Sequence, residues 1–208
     1  MALVHRIRQG MLAAMLVAGL AIATAPAAAQ MFSDGFKFLE AVEKKDRAKV
    51  IELVNKNKTI VDSRDISKGH TGLHLAVQAR DLAWTDYLLG LNANPNIADK
   101  NGVTPLSLAA QIGFTEAVSL LTQRGARVDV PNSAGETPLI AAVHRRDLGL
   151  LRVLLRAGAD PDRRDNSGRS ARDYAAFDGP SNIILNEINR LADPTKRERP
   201  AQVYGPSL

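Results

Sequence analysis

The chain has 208 residues, room for one medium domain or an array of small repeats. With one Trp, three Tyr and five Phe beside abundant Ala and Leu, its core suits close helix packing better than a deep aromatic-lined pocket. The formal charge of +5 is dispersed in both signs, which argues against a dedicated nucleic-acid surface, and the lack of Cys excludes disulfides, thiolate nucleophiles, Cys-ligated zinc and a lipid-modified N-terminal Cys.

The first 29 residues have the three-part layout of a secretory signal. Arg6 and Arg8 give a basic start without acids, Met11 to Ala25 is an apolar run, and Ala27-Ala28-Ala29 supplies small residues before Gln30. The run is 15 residues long before Pro26, short of the roughly 20 needed to span hydrocarbon. Cleavage between Ala29 and Gln30 is therefore expected, with export to a periplasmic or extracellular location and no stable membrane insertion afterwards. No Arg-Arg pair precedes the run, which favours export in the unfolded state. Removing the segment takes away two Arg and no acid, leaving a positive charge too mild to name a partner.

From residue 36 onward the chain repeats itself. Gly69, Gly102, Gly135 and Gly168 are spaced by 33 residues. Thr71, Thr104, Thr137 and Ser170 keep the same phase, as do Leu73, Leu106 and Leu139, and Ala76, Ala109, Ala142 and Ala175. Each unit reads as a tight turn closed by an Asx residue and Gly. A Thr or Ser helix cap follows, and in two units Pro105 or Pro138 sits at the first helical position. The first helix is short and Ala-rich. The second carries apolar residues at helical spacing (Ala117, Val118, Leu120 and Leu121; Leu150, Leu151, Val153, Leu154 and Leu155) and stops at Gly125 or Gly158.

Thr-Pro-Leu with the following Ala pair, Arg156-Ala157-Gly158-Ala159-Asp160-Pro161-Asp162, and Thr71-Gly72-Leu73-His74-Leu75-Ala76 resemble the ankyrin repeat consensus, with Gly72 where that consensus has Pro. The resemblance implies an all-α solenoid of about five helix-turn-helix repeats with projecting finger loops. The units are 36–69, 70–102, 103–135, 136–168 and 169–193, inside a domain of 30–193, with a flexible tail over 194–208. The end units depart from the consensus as solvated caps should. Unit 36–69 lacks Thr-Pro and has one extra loop residue near Ile66, and the last unit is degenerate from Ser170 to Leu191.

Catalytic candidates dissolve into structural roles. His74 falls where the family's His braces the turn backbone, His70 lies in a turn and His144 at the exposed end of a first helix, with no metal-binding spacing among them. Asp62, Asp99, Asp129, Asp160, Asp162 and Asp165 recur at turns, and no Gly-x-Ser-x-Gly or phosphate-cradling loop is present. The expected protein is not an enzyme and needs no cofactor. It is expected to bind a partner protein on the concave face and fingers, where the resemblance places variable contact positions. Foremost are Lys100, Asn101, Val103, Gln111, Ile112, Glu136, His144, Arg145, Arg163 and Arg169, with Ser67, Lys68, His70, Gln78, Ala79, Ser133, Ala134, Asn166, Ser167, Phe177 and Asp178 at matching phases. Ile112 and Phe177 read as candidate anchors in a polar surround, although the preferred reading of Phe177 is packing under the C-terminal cap. Arg145, Arg146, Arg163, Arg164 and Arg169 read either as one cationic patch for an acidic partner or as a solvated face. Two other readings stay open: a small-ligand or catalytic site between fingers, and a membrane-tethered adaptor that retains its N-terminal segment.

Overall fold

The computed structural model describes residues 27–177, 179 and 182–192, with side chains from Asp34 onward. The N-terminal run up to Pro26, Asp178 and the tail beyond Ala192 lie outside the described residues. Ten α-helices and no strands are present among these residues: α1 (Ala27–Glu43), α2 (Arg47–Lys56), α3 (Gly72–Gln78), α4 (Leu82–Gly90), α5 (Pro105–Gln111), α6 (Thr115–Gln123), α7 (Pro138–His144), α8 (Leu148–Arg156), α9 (Ala171–Ala176) and α10 (Ile183–Ala192). None of the described helices is long and apolar enough to cross a membrane. The expected 29/30 junction falls inside α1, which extends past the start of the first unit.

Helices pair within each unit, and the odd-numbered ones stack in sequence into an inner row, α1 against α3, α5, α7 and α9. From α4 onward the even-numbered helices stack in a second, outer row. The inner row can be tight because small side chains recur on its buried faces. Ala76, Ala109, Ala142 and Ala175 are all buried, as are Leu73, Leu106 and Leu139 between them. In the outer row Leu88, Leu121 and Leu154 occupy one fully buried column. Such a core extends from unit to unit without a centre, so each unit is stabilised chiefly by its neighbours.

Helix ends follow the capping chemistry of the sequence. Thr104 Oγ1 accepts from the Ser107 N–H at 3.2 Å, Thr137 from Ile140 at 3.3 Å and Ser170 from Asp173 at 3.1 Å, each satisfying an N–H that the first helical turn leaves open. Pro105 and Pro138 sit in the first turn as expected. The second helices of three units are capped by Asp46, Asp81 and Asp147, whose carboxylates accept from Lys49, Trp84 and Leu150.

The left-handed residues among those described all fall into three columns. Gly69, Gly102, Gly135 and Gly168 close the fingers, and Asn92, Gly125 and Gly158 follow the second helices. Lys45, Arg80, Gly113, Arg146 and Gly179 form the turn between paired helices. This last column was not apparent from the sequence, because long basic residues occupy three of its positions.

The first unit departs furthest from the others. After α2 the chain forms a 3-10 turn over Lys58–Asp62, started by Asn57 accepting from the Thr59 N–H at 3.0 Å. Its finger closes from Asp65 N–H to the His70 carbonyl at 2.9 Å, spanning one residue more than the closures from Asp99 to Val103 and from Asp165 to Arg169. The extra residue leaves Ile66 at the tip, 81% exposed.

Candidate partner-binding surface

Each finger is a tight turn organised by one Asx side chain. Asp99 Oδ1 accepts from the N–H groups of Asn101 at 2.8 Å and Val103 at 2.9 Å. Asn132 does the same for Ala134 and Glu136, and Asp165 for Ser167 and Arg169. These contacts explain why Asp or Asn recurs here.

The finger tips are tied to one another through the backbone. Lys100 N–H donates to the Lys68 carbonyl at 2.9 Å, Ser133 to Asn101 at 2.9 Å and Asn166 to Ala134 at 3.1 Å. Asn166 Nδ2 adds a bond to the Ser133 carbonyl at 3.0 Å. A second ladder runs beneath, along the loops that leave the outer helices. Asp62 accepts from Asn94 N–H, Asn96 from Arg127 and Asp129 from Asp160, at 2.8 to 3.2 Å.

His74 braces two units at once. Its Nδ1 accepts from the Thr71 N–H at 3.1 Å, which makes Nε2 the protonated nitrogen, and Nε2 lies 2.9 Å from the Val103 carbonyl of the next unit. Burial holds its pKa below the ordinary imidazole value, so the ring is neutral. His70 stacks on it at 5.2 Å, with Nε2 3.6 Å from Asp99 Oδ2. No group of three or more His, Cys, Asp or Glu suited to a metal ion occurs among the described residues.

The other expected contact residues are placed unevenly. Lys100 and Asn101 are exposed on the second finger, whereas Val103 and Gln111 are half-buried and both give their carbonyls to neighbouring units. Ile112 is not an exposed anchor. It ends α5 half-buried against the core, and its carbonyl accepts from Arg80 at 2.8 Å. Phe177 does not pack under the cap: it follows the last residue of α9 and is 68% exposed. Glu136 lies 3.3 Å from His144 Nδ1, which brings these two together as part of one surface.

The arginines do not assemble into one patch. Arg145 lies over Gly113 and donates to the Gln111 carbonyl at 3.1 Å. Arg163 is exposed beside Asp129, and Arg164 pairs with Asp173 at 3.3 Å. Arg169 lies over the rings of Tyr174 and Phe177, 6.0 and 5.3 Å from their centroids. Repeat phase aligns Arg145 with the inner row and Arg163 with the loops leaving the outer row, so their side chains address different sides.

Sequence reasoning missed the straps that use the turn between helices. Arg80 stacks on Phe114 at 5.0 Å, and Arg47 lies 4.9 Å from the Tyr87 ring centroid. Lys45 pairs with Asp81 at 2.5 Å. The phase of Arg80, Gly113, Arg146 and Gly179, again 33 residues, was the available signal.

At the N-terminal end, α1, α3 and the first finger enclose an open trough of about 1050 Å³ lined by Phe36, Leu39, Ile66, Leu75 and Gln78, among others. Its charged rim is largely self-satisfied, with Lys44 on Glu40 at 2.5 Å and Arg64 bonded to the Gly69 carbonyl at 3.1 Å.

A family model described as ankyrin repeats (three copies) matches residues 38–132 and 73–165. The chain is 35% identical over 139 residues to ankyrin repeat protein nuc-2 of Neurospora crassa, a match covering 66% of this chain and 12% of that one. It is 32% identical over 130 residues to the B-cell lymphoma 3 protein homolog of Mus musculus, covering 60% and 29%. A putative ankyrin repeat protein of Rickettsia bellii is 35% identical over 108 residues, covering 49% and 31%. The matched region is thus less than a third of each of these relatives. Helix pairs at a 33-residue period, fingers laced by backbone bonds and the matching family model together establish that this chain belongs to the ankyrin repeat family, whose repeats are general protein-interaction modules.

Proposed function

We propose that the chain is a non-enzymatic binding module that holds a partner protein on its concave face and finger loops. The observation that carries this reading is the trough between α1 and the first finger. Phe36 and Ile66 stand 70% and 81% exposed at its edge, an arrangement that leaves apolar area in water unless a partner covers it. The fingers and inner helices are preformed by the backbone ladders, so little ordering entropy opposes association. The Asx residues of the fingers serve their turns, and His74 serves as a brace between two units.

The working compartment is proposed to be the periplasm or the exterior, on the basis of the basic-apolar-small pattern over residues 1–29. N-terminal sequencing of the protein recovered from cells should begin at Gln30. A chain that keeps residues 1–29 would point to the tethered form instead.

Affinity capture from that compartment, comparing the native protein with a Phe36→Ser/Ile66→Ser double variant, tests the binding reading. Both residues are exposed, so folding should survive, while recovery of a specific protein should fall by about tenfold or more if they anchor it. Equal recovery on both baits would remove the trough from the proposal.

A further inference from the structure

The opposite end of the concave face has a different chemistry. Tyr174 of α9 stands at its centre, with the His144 ring edge-on at 4.5 Å and the Phe177 ring at 6.3 Å. The Tyr174 hydroxyl donates to Asp165 Oδ2 at 2.7 Å and lies 3.2 Å from Ser167 Oγ, which fixes the ring in place. The Arg169 guanidinium covers the Tyr174 and Phe177 rings. A guanidinium stacked in this way keeps its in-plane donors free for a carboxylate approaching from the side.

The anions already present are committed elsewhere. Asp165 is held by Tyr174 and Ser167, Glu136 faces His144 at 3.3 Å and Asn132 Nδ2 at 3.2 Å, and Asp173 is held by the Ser170 N–H at 3.0 Å and by Arg164. Arg169 lies over the two rings and makes no ion pair with any described residue, although its charge is felt at Asp173. The surface therefore combines an exposed phenyl ring, a fixed tyrosine and a stacked arginine without an ion-pair partner among the described residues. Aromatic and arginine side chains held rigid in this way are the usual composition of an energetic centre in a protein interface.

We infer that this end of the concave face receives an extended acidic segment of the partner, which lays an aromatic side chain on Phe177 and Tyr174 and sets a neighbouring carboxylate on Arg169. The inference rests on the binding reading above and supplies the partner chemistry at one end of it. Charge complementarity selects the occupant. A basic segment would meet Arg169 directly, and a purely apolar one would leave the stacked guanidinium covered and unpaired, which is costly.

The test uses the intact protein and fluorescein-labelled peptides read by anisotropy near physiological salt. The probe is Gly-Ser-Glu-Asp-Phe-Glu-Gly-Ser. Its controls carry Lys in place of every acid, or Ala in place of Phe. The acidic phenylalanine peptide should bind about tenfold or more tightly than either control, and Arg169→Ala or Phe177→Ala should each remove most of that advantage. Arg169→Glu should reverse the charge preference toward the lysine peptide. Equal binding of all three peptides, or undiminished binding by the Arg169→Ala and Phe177→Ala variants, would overturn the inference. Continued capture of a partner through the trough in that case would leave the broader binding reading standing.

Discussion

His74 Nε2 reaches the Val103 carbonyl at 2.9 Å, so a single neutral imidazole joins the first turn of α3 to the base of the following finger. Because burial lowers its pKa, the folded protein excludes a proton that the unfolded chain accepts below its ordinary value near 6.5. The sign follows directly. His74 contributes its full stability above about pH 6.5, and that contribution is lost as the pH falls below it. His74→Gln should cost about 1–3 kcal/mol at pH 7.5 through the broken brace. Urea denaturation at pH 7.5 and 5.0 should show the gap between native and variant narrowing at the lower pH. A gap that widens would mean that the ring is protonated in the folded state.

Glu187 interrupts the outer column of Leu88, Leu121 and Leu154 in the last unit. Arg190 at 2.7 Å and Arg152 at 2.6 Å hold its carboxyl at about 2, below the usual carboxylate range. With its folded pKa depressed, Glu187 adds stability above about pH 4.5 that is lost as the pH falls toward 2. Glu187→Leu restores the apolar column and should be nearly neutral in a thermal melt at pH 7, while flattening the acid limb. Glu187→Ala, which empties the site and leaves both arginines unpaired, should melt lower than Glu187→Leu. The opposite order would show that the ion pairs, and not the filled column, carry the stability of this unit.

Two glycines in similar backbone conformations should respond differently to Ala. Gly125 at φ 83 has open space where a Cβ would go. Gly125→Ala should therefore cost only the left-handed penalty, about 1–2 kcal/mol. At Gly135, φ 77, the added Cβ would lie 2.6 Å from the Asn166 backbone nitrogen. Gly135→Ala must force two fingers apart or break their ladder, so chemical denaturation should show it to be the more destabilised by a clear margin. Equal losses would mean that the fingers can separate freely.

Charge reversal should sort the arginines by location. Arg169→Glu, beside Phe177, should weaken recovery of an acidic partner by about tenfold, as expected for a charge near an interface centre, and Arg145→Glu, over Gly113 one unit back, by less. Arg163→Glu, on the side facing Asp129, should leave it nearly unchanged. Parallel effects from all three in pull-down yields would mean that general charge, and not the arrangement around Phe177, governs capture.

The solenoid was legible because its rules act locally and recur. Thr104, Thr137 and Ser170 cap helices by the same short-range bond, and Gly102 and Gly135 satisfy the same turn. What escaped reading was chemistry that crosses from unit to unit through dissimilar residues. Lys45, Arg80, Gly113 and Arg146 share one left-handed position but not one side chain, and the straps formed by Lys45 and Arg80 depend on what the next unit presents. The surface was read by column and not by burial. Phase alone placed Ile112 and Phe177 both on the concave side, yet the first is drawn half-inward where α5 ends and the second stands clear. Arg145 and Arg163 are close in sequence and diverge in space because α8 and its loop separate them.

The lacing of the finger tips makes the molecule shortenable. Each rung joins a backbone N–H to a carbonyl one unit back, without reference to the side chains at either end. Excision of 103–135 would bring Gly102 against Glu136, and the Asn166 amide, which now bonds Ala134, would find the Asn101 carbonyl in its place. Length and surface chemistry can thus vary separately in this architecture, a whole unit being gained or lost without redrawing the joints that remain.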